Sequence, residues 1–312
     1  TCLGARASWD PRWLFALRRL CRSRRFDIVH SHSPLTTIGA RLVLRTLPRR
    51  DRPILVTTEH NVWDSHARAT RLADATTARG NETHLAVSEA VRASMPNRLR
   101  PGTKVIQYGV DVGEVRASGA DREAARRSLG VGPHDILIGT VANLRATKGY
   151  PDLLTAARIV VDRVDNARFV ALGQGPMQRE LQLQADALDL GDRFRFLGYR
   201  SDAAYVMSAF DIFCLASHHE GLPIALMEAL VLGVPVVATD VGGIAELVTD
   251  GREAVLVPPG ETQRLADALT ALARDPARRA EMSCRARVRG DSLDAVRAIR
   301  EVEGLYRRVL AR

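Results

Sequence analysis

The sequence predicts an α/β protein built from two doubly wound, Rossmann-like domains. Three observations carry that expectation. Ten short apolar runs recur along the 312 residues. Longer stretches with helical spacing separate most of them, and strand–helix alternation implies parallel sheets covered on both faces. Polar and charged residues then gather around Gly113, Gly119, Gly130 and Gly132, which marks a break, and ten strands are too many for one small sheet.

In chain order, Trp13, Leu14, Phe15, Leu17 and Leu20 interleave with arginines and read as a basic amphipathic helix. Strands are expected at 26–30, 53–57, 83–87 and 104–107. Beyond the break come strands at 136–141, 168–172, 193–197, 212–216, 235–239 and 254–257. Helices are expected at 151–163, 176–188 and 224–232, and a long amphipathic helix at 292–312 closes the chain. The expected domains are 1–131 and 132–292, with 293–312 crossing back to the first. Because the first residue is Thr1, the chain reads as a fragment or a processed product.

Composition narrows the function classes. Apolar content is 46%, as in a globular protein, and no apolar window approaches the length of a membrane span. The start shows no signal-peptide pattern. Cys2, Cys21, Cys214 and Cys284 form no CxxC pair and no metal-like spacing, so free thiols in a reducing cytoplasm are expected. The net charge of +9 is concentrated in residues 1–60, which hold twelve arginines against four acids. That basic end suits an anionic membrane surface, although 43 arginines against two lysines also reveal a general arginine bias. No zinc pattern or aromatic–basic stacking motif accompanies the charge, which argues against nucleic acid.

The chemistry-bearing residues sit at turns that follow strands, where an open α/β sheet binds ligands. After 136–141 come Asn143, Arg145 and Lys148, two cations in a loop that leads into a helix and suits a diphosphate. Gly173 and Gly175 form a turn that allows close backbone approach. The stretch HHEGLPIALMEALVLGVPVVATDVGG, residues 218–243, holds Glu220 and Glu228. Eight helical residues span roughly 12 Å. Paired glycosidase carboxylates stand closer, so this spacing favours two ends of one extended ligand. Glu228 lies in an apolar setting where a lone charge is costly.

At this point the sequence resembles glycosyltransferase family 4. The Glu220-Gly-x-Pro-x5-Glu228-Ala block, with Gly242-Gly243 downstream, looks like the family's E-x7-E signature. Asp27-Ile-Val-His-Ser-His32, 86–91, Tyr108-Gly-Val-Asp111, Phe196-Leu-Gly198 and the last helix ending in Tyr306 extend the likeness over nearly the whole chain. The resemblance implies a GT-B fold, with two domains facing a cleft, and a retaining enzyme that uses nucleotide sugars. It places Glu220 on donor-sugar hydroxyls and Glu228 on the donor ribose. The backbone around Gly221, Leu222 and Pro223 would meet sugar and phosphates, with Asn143, Gly173, Gly175 and Tyr199 also at the donor. Lys148 and Arg145 would stabilise the departing diphosphate, and His32 would lie near the sugar. No DxD pair occurs, in keeping with enzymes of this fold that need no metal, and no cofactor is expected.

Two departures stand out. The family often has arginine at the position of Asn143, and here Arg145 would substitute. The family also begins with a glycine-rich loop and several dozen residues before the Asp-x-Val-His strand, which here arrives at residue 27. The first strands of the N-terminal domain are therefore expected to be missing, leaving a truncated form of weak or no activity. The expected function is transfer from a UDP- or GDP-linked sugar to a lipid-linked, polysaccharide or small-molecule acceptor, in the cytoplasm or at the inner membrane face. The alternatives are a non-catalytic nucleotide-sugar-binding relative and, more weakly, a nucleotide-sugar epimerase.

Overall fold

The computed structural model describes residues 10–78 and 83–311. The elements are α1 (Arg12–Ser23), β1 (Ile28–His32), α2 (Pro34–Arg45), β2 (Ile54–Glu59), α3 (Arg68–Thr77), β3 (Thr83–Ala86), α4 (Glu89–Ser94) and β4 (Lys104–Val105). Then follow α5 (Val112–Ser118), α6 (Arg122–Ser128), β5 (Ile136–Val141), α7 (Tyr150–Arg163), β6 (Ala167–Leu172), α8 (Gln178–Ala187), β7 (Phe194–Gly198), α9 (Ala203–Ser208) and β8 (Ile212–Leu215). The chain ends with α10 (Ile224–Leu232), β9 (Val236–Thr239), α11 (Ile244–Leu247), β10 (Ala254–Val257), α12 (Thr262–Arg274), α13 (Pro276–Asp291) and α14 (Ala295–Leu310). The chain divides into two compact units: Thr1–Gln107 with Ala298–Arg312, and Tyr108–Arg297.

The first unit is a parallel sheet in the order β1-β2-β3-β4. Strand side chains alternate between faces, and β2 shows the consequence. Leu55 joins Cys21, Leu44 and Leu47 under α1 and α2, whereas Val56 joins Leu85 and Leu305 of α14 on the other side. Both faces are thus covered, as a parallel sheet requires. A buried ion pair between Arg41 and Asp74 ties α2 to α3.

The second unit is a six-stranded parallel sheet in the order β10-β9-β8-β5-β6-β7. Every residue of β8 and β9 is buried, which is why these strands read as unbroken apolar runs. Cys214 sits fully buried in that core with Ile138, Phe169 and Val237. Cys21 is also buried and Cys284 exposed, all three as free thiols; Cys2 lies outside the described residues. Among the described residues no helix is long and apolar enough to cross a membrane.

The structure adjusts several expected bounds. The strand expected at 104–107 pairs only over Lys104–Val105. The closing helix starts at Ala295, not 292, because that segment pairs with the chain at Val110: Val110 N–H donates to Leu293 O (2.9 Å) and Ala295 N–H to Val110 O (3.0 Å). The units divide after Gln107, whereas the break in composition suggested 131. Residues 108–131 belong to the second unit because α6 is anchored there. Arg126 reaches Asp211 (2.9 Å) and the carbonyls of Gly132 and Asp135, and Arg122 donates to Phe210 O (2.6 Å).

Candidate functional site

Strand order in the second sheet reverses between β5 and β8. At such a switch point the connections leave in opposite directions and open a crevice at the carboxyl ends of the strands. The loop after β5 carries Asn143, Arg145 and Lys148 and leads into α7; the loop after β8 carries Ser217 to Pro223 and leads into α10. The sheet therefore brings together two loops 72 positions apart in sequence, and Lys148 Nζ donates to Glu220 Oε1 at 2.7 Å.

This pair is the centre of the site. The Glu220 side chain is only 5% exposed and that of Lys148 23%. A carboxylate at that depth needs a counter-charge, and it also accepts from Ser217 Oγ at 2.7 Å. Sequence reading assigned the two residues to different parts of a ligand; the structure makes them direct partners. The loops are also bound backbone to backbone, with His218 N–H donating to Thr147 O at 2.9 Å. Gly149, at φ 62°, closes the first loop, and a Cβ there would stand 1.9 Å from Ala216 O. Gly242, after β9, packs likewise on Glu220 O, and Gly243 N–H donates to Gly221 O at 2.9 Å. Tyr108, not among the sequence-derived site residues, donates its hydroxyl to Leu222 O. Burial, and then the negative charge of Glu220, push the Tyr108 hydroxyl up to about 12.

Around the pair stand groups left open for a ligand. Arg145 and Asn143 are exposed, and Arg145 has no side-chain partner among the described residues. Pro223 is the N-cap of α10 and not its first helical residue, with Ile224 beginning the helix. Gly233, in the left-handed conformation, ends it as its sequence position suggests. Glu228 lies half-buried one turn into α10, with no hydrogen-bond partner among the described residues. Burial raises its carboxyl above the ordinary glutamate value. Gly173 and Gly175, after β6, press against the carbonyls of Ala142 and Leu144, so the loop after β6 braces the loop after β5. Tyr199 is exposed just beyond β7.

In the first unit, His32 stands at the carboxyl end of β1 and its Nδ1 lies 2.8 Å from Nε2 of His60, which follows β2. Such a bond needs one ring to donate and the other to accept, so both cannot be cations. His30 is bonded to Tyr306 Oη (2.6 Å) and Thr58 Oγ1 (2.7 Å), and is lowered to about 4 by burial and then by the charges of His32 and His60. His30 is therefore structural, while His32 keeps Nε2 for a ligand. His60 was not singled out from sequence; only the β1–β2 pairing brings it to His32.

With this geometry defined, comparison with known proteins decides the family. The model of the family described as "Glycosyl transferases group 1" matches residues 121–289, more than half the chain. The chain belongs to that family. The model described as "Glycosyltransferase Family 4" matches residues 1–114. Among curated relatives, a D-inositol 3-phosphate glycosyltransferase of Kribbella flavida is 34% identical over 57% of this chain and 44% of its own length. A 2-deoxystreptamine N-acetyl-D-glucosaminyltransferase of Niallia circulans is 32% identical over 42% of this chain. That alignment spans 34% of the relative's length, so the chain matches about a third to a half of these proteins. Among solved structures, Anabaena Alr3699/HepE in complex with UDP superposes with a TM-score of 0.80 at 23% identity, covering 94% of this chain and 81% of its own. Sucrose-phosphate synthase from Thermosynechococcus elongatus gives 0.84 at 20%, covering 96% and 78%. At these identities the likeness shows the fold, which is GT-B.

Proposed function

We propose that this chain transfers a sugar from a nucleotide-sugar donor, with retention of configuration, to a lipid-linked, glycan or small-molecule acceptor. The observation that carries this reading is the Lys148–Glu220 pair at the β5/β8 switch point, beside Arg145 and Glu228, whose side chains have no hydrogen-bond partner among the described residues. Glu228 takes the donor ribose, because a carboxylate without a protein partner accepts well from vicinal hydroxyls. The diphosphate lies between, against Arg145, Lys148 and the first N–H groups of α10, which have no partner within the helix. Lys148 then stabilises the charge that grows on the leaving phosphate, while Glu220, oriented by Lys148 and Ser217, meets the sugar hydroxyls. No side chain serves as a covalent nucleophile, and the departing phosphate guides attack from its own face. In the first unit, His32 Nε2 takes a polar group of the acceptor. Asn143, Leu222, Pro223 and Tyr199 border the donor, and no metal takes part. The same donor class is bound in the Anabaena HepE structures, solved with UDP and with UDP-glucose. The chain acts in the cytoplasm.

The test is release of nucleoside diphosphate from UDP-, GDP- and ADP-sugars. Release by the wild type and its loss in Glu220→Ala supports transfer chemistry; binding without release from any donor supports a non-catalytic sugar-nucleotide-binding protein instead.

Glu228→Gln separates binding from stability. A hydrogen bond to a charged group contributes about 1.5–3 kcal/mol, so donor affinity is expected to fall about 10- to 100-fold by titration calorimetry. Since burial raises the Glu228 carboxyl, the folded state disfavours its charge at neutral pH, and the variant should melt at the same or a higher temperature. The sign for binding follows. Wild-type donor affinity declines on acidification from above pH 4.5, the ordinary glutamate value, and Glu228→Gln flattens that decline. A variant that melts lower and binds equally well would sink the assignment.

A further inference from the structure

We propose that the outward face of α1, α2 and α3 docks on an anionic lipid bilayer. The face belongs wholly to the first unit. α1 and α2 cover one side of the sheet, opposite α14, and α3 lies against α2 through the buried Arg41–Asp74 pair. Trp13 fixes α1 on α2, resting where a Cβ at Gly39 would stand 2.0 Å from its ring.

Large apolar side chains point outward from each of the three helices. Phe15 of α1 is 72% exposed and Leu72 of α3 67%, while Leu35 and Leu42 of α2 are half-exposed. Leu35 and Leu42 stand seven positions apart, so they line one stripe of α2. Single exposed apolar residues are ordinary; four of them on three helices packed side by side mark an interaction surface.

Charge identifies the partner. Residues 11–26 hold six arginines, Arg12, Arg18, Arg19, Arg22, Arg24 and Arg25, and no acid. Arg19 and Arg22 are exposed on the same helical stripe as Phe15, at i+4 and i+7. Arg12 is paired with Asp10, and Arg18 donates to Thr46 Oγ1 at 2.9 Å, leaving Arg19 and Arg22 toward solvent. Apolar side chains set among guanidiniums suit a leaflet with acyl chains beneath anionic headgroups, where both terms add. A nucleic acid would use the charge and leave the leucines unused. The face also reaches the carboxyl end of β1, because Leu35 lies three positions after His32. A lipid-borne substrate on the bilayer would therefore arrive at the histidine end of the sheet.

The test is co-sedimentation with phosphatidylcholine vesicles, with and without 30 mol% phosphatidylglycerol. Partition is expected only on the anionic vesicles. Each arginine near such a leaflet strengthens partition about five-fold, so Arg19→Ala/Arg22→Ala should weaken it about 25-fold. Phe15→Ser and Leu72→Ser should each weaken it several-fold, whereas Val288→Ser, at an exposed apolar position of the second unit, should leave it unchanged. Melting curves identify any variant that fails to fold, and the remaining exposed-site variants carry the test. Equal partition on both vesicle compositions, partition indifferent to every face variant, or binding to a DNA duplex with none to vesicles would overturn the proposal. Partition requires no sugar transfer, so its outcome stands apart from that of the donor assays.

Discussion

Lys148→Ala is expected to lower sugar transfer about 1000-fold and to destabilise the second unit by about 3 kcal/mol. The two effects have one origin. The Glu220 carboxylate is nearly buried, and Lys148, at 2.7 Å, is its counter-charge. Without the ammonium, Ser217 Oγ remains as a single hydrogen-bond donor to Oε1. An uncompensated buried charge costs about 3–5 kcal/mol, and the remaining serine places the loss at the lower end. Catalysis falls further, because the fixed cation that would meet the departing phosphate is gone. Glu220→Gln should cost less stability, since Lys148 is more exposed and can turn to solvent. The double variant Lys148→Ala/Glu220→Gln should regain most of the stability lost in Lys148→Ala, yet none of the activity. Urea denaturation gives the stability cycle, and diphosphate release gives the activities. A Lys148→Ala protein as stable as wild type would mean that the pair does not organise the site.

Gly149→Ala should be nearly as severe. At φ 62° any side chain is strained, and a Cβ would stand 1.9 Å from the backbone oxygen of Ala216. The obstacle is backbone, so the β5 and β8 loops must separate, taking Lys148 from Glu220. A loss of about 3 kcal/mol or more is expected, with donor affinity falling at least ten-fold. Gly130→Ala is the internal control. Gly130 has nearly the same φ, 64°, but nothing lies within 4 Å of its would-be Cβ. It should lose only about 1 kcal/mol, the cost of the left-handed conformation alone. Equal losses at the two glycines would show that backbone conformation, not loop packing, sets the cost at 149.

These contrasts also show what was legible in the sequence. The strands could be read because β8 and β9 are buried on both faces and so run apolar up to Thr239, the last residue of β9. The helix stop at Gly233 could be read because its conformation is local. The division of the compact units after Gln107 was not legible, because glycines and charges at 111–133 look like a linker, whereas Arg122 and Arg126 bond to Phe210 O and Asp211 more than 80 positions away. The Glu220–Lys148 contact escaped for the same reason: the spacing of Glu220 and Glu228 is local, but the partner of Glu220 depends on β8 lying beside β5. His60 and Tyr108 escaped too, since each acquires its role only from a neighbour that the sheet or a loop brings to it.

The most direct measurement is titration calorimetry of the chain with UDP, GDP, ADP and their sugars, repeated with Lys148→Ala and Glu228→Gln. At least one nucleotide sugar is expected to bind at one site per chain, at least ten-fold more weakly in each variant. Binding of none of these nucleotides, or binding that both variants leave unchanged, would contradict a donor site at the β5/β8 switch point.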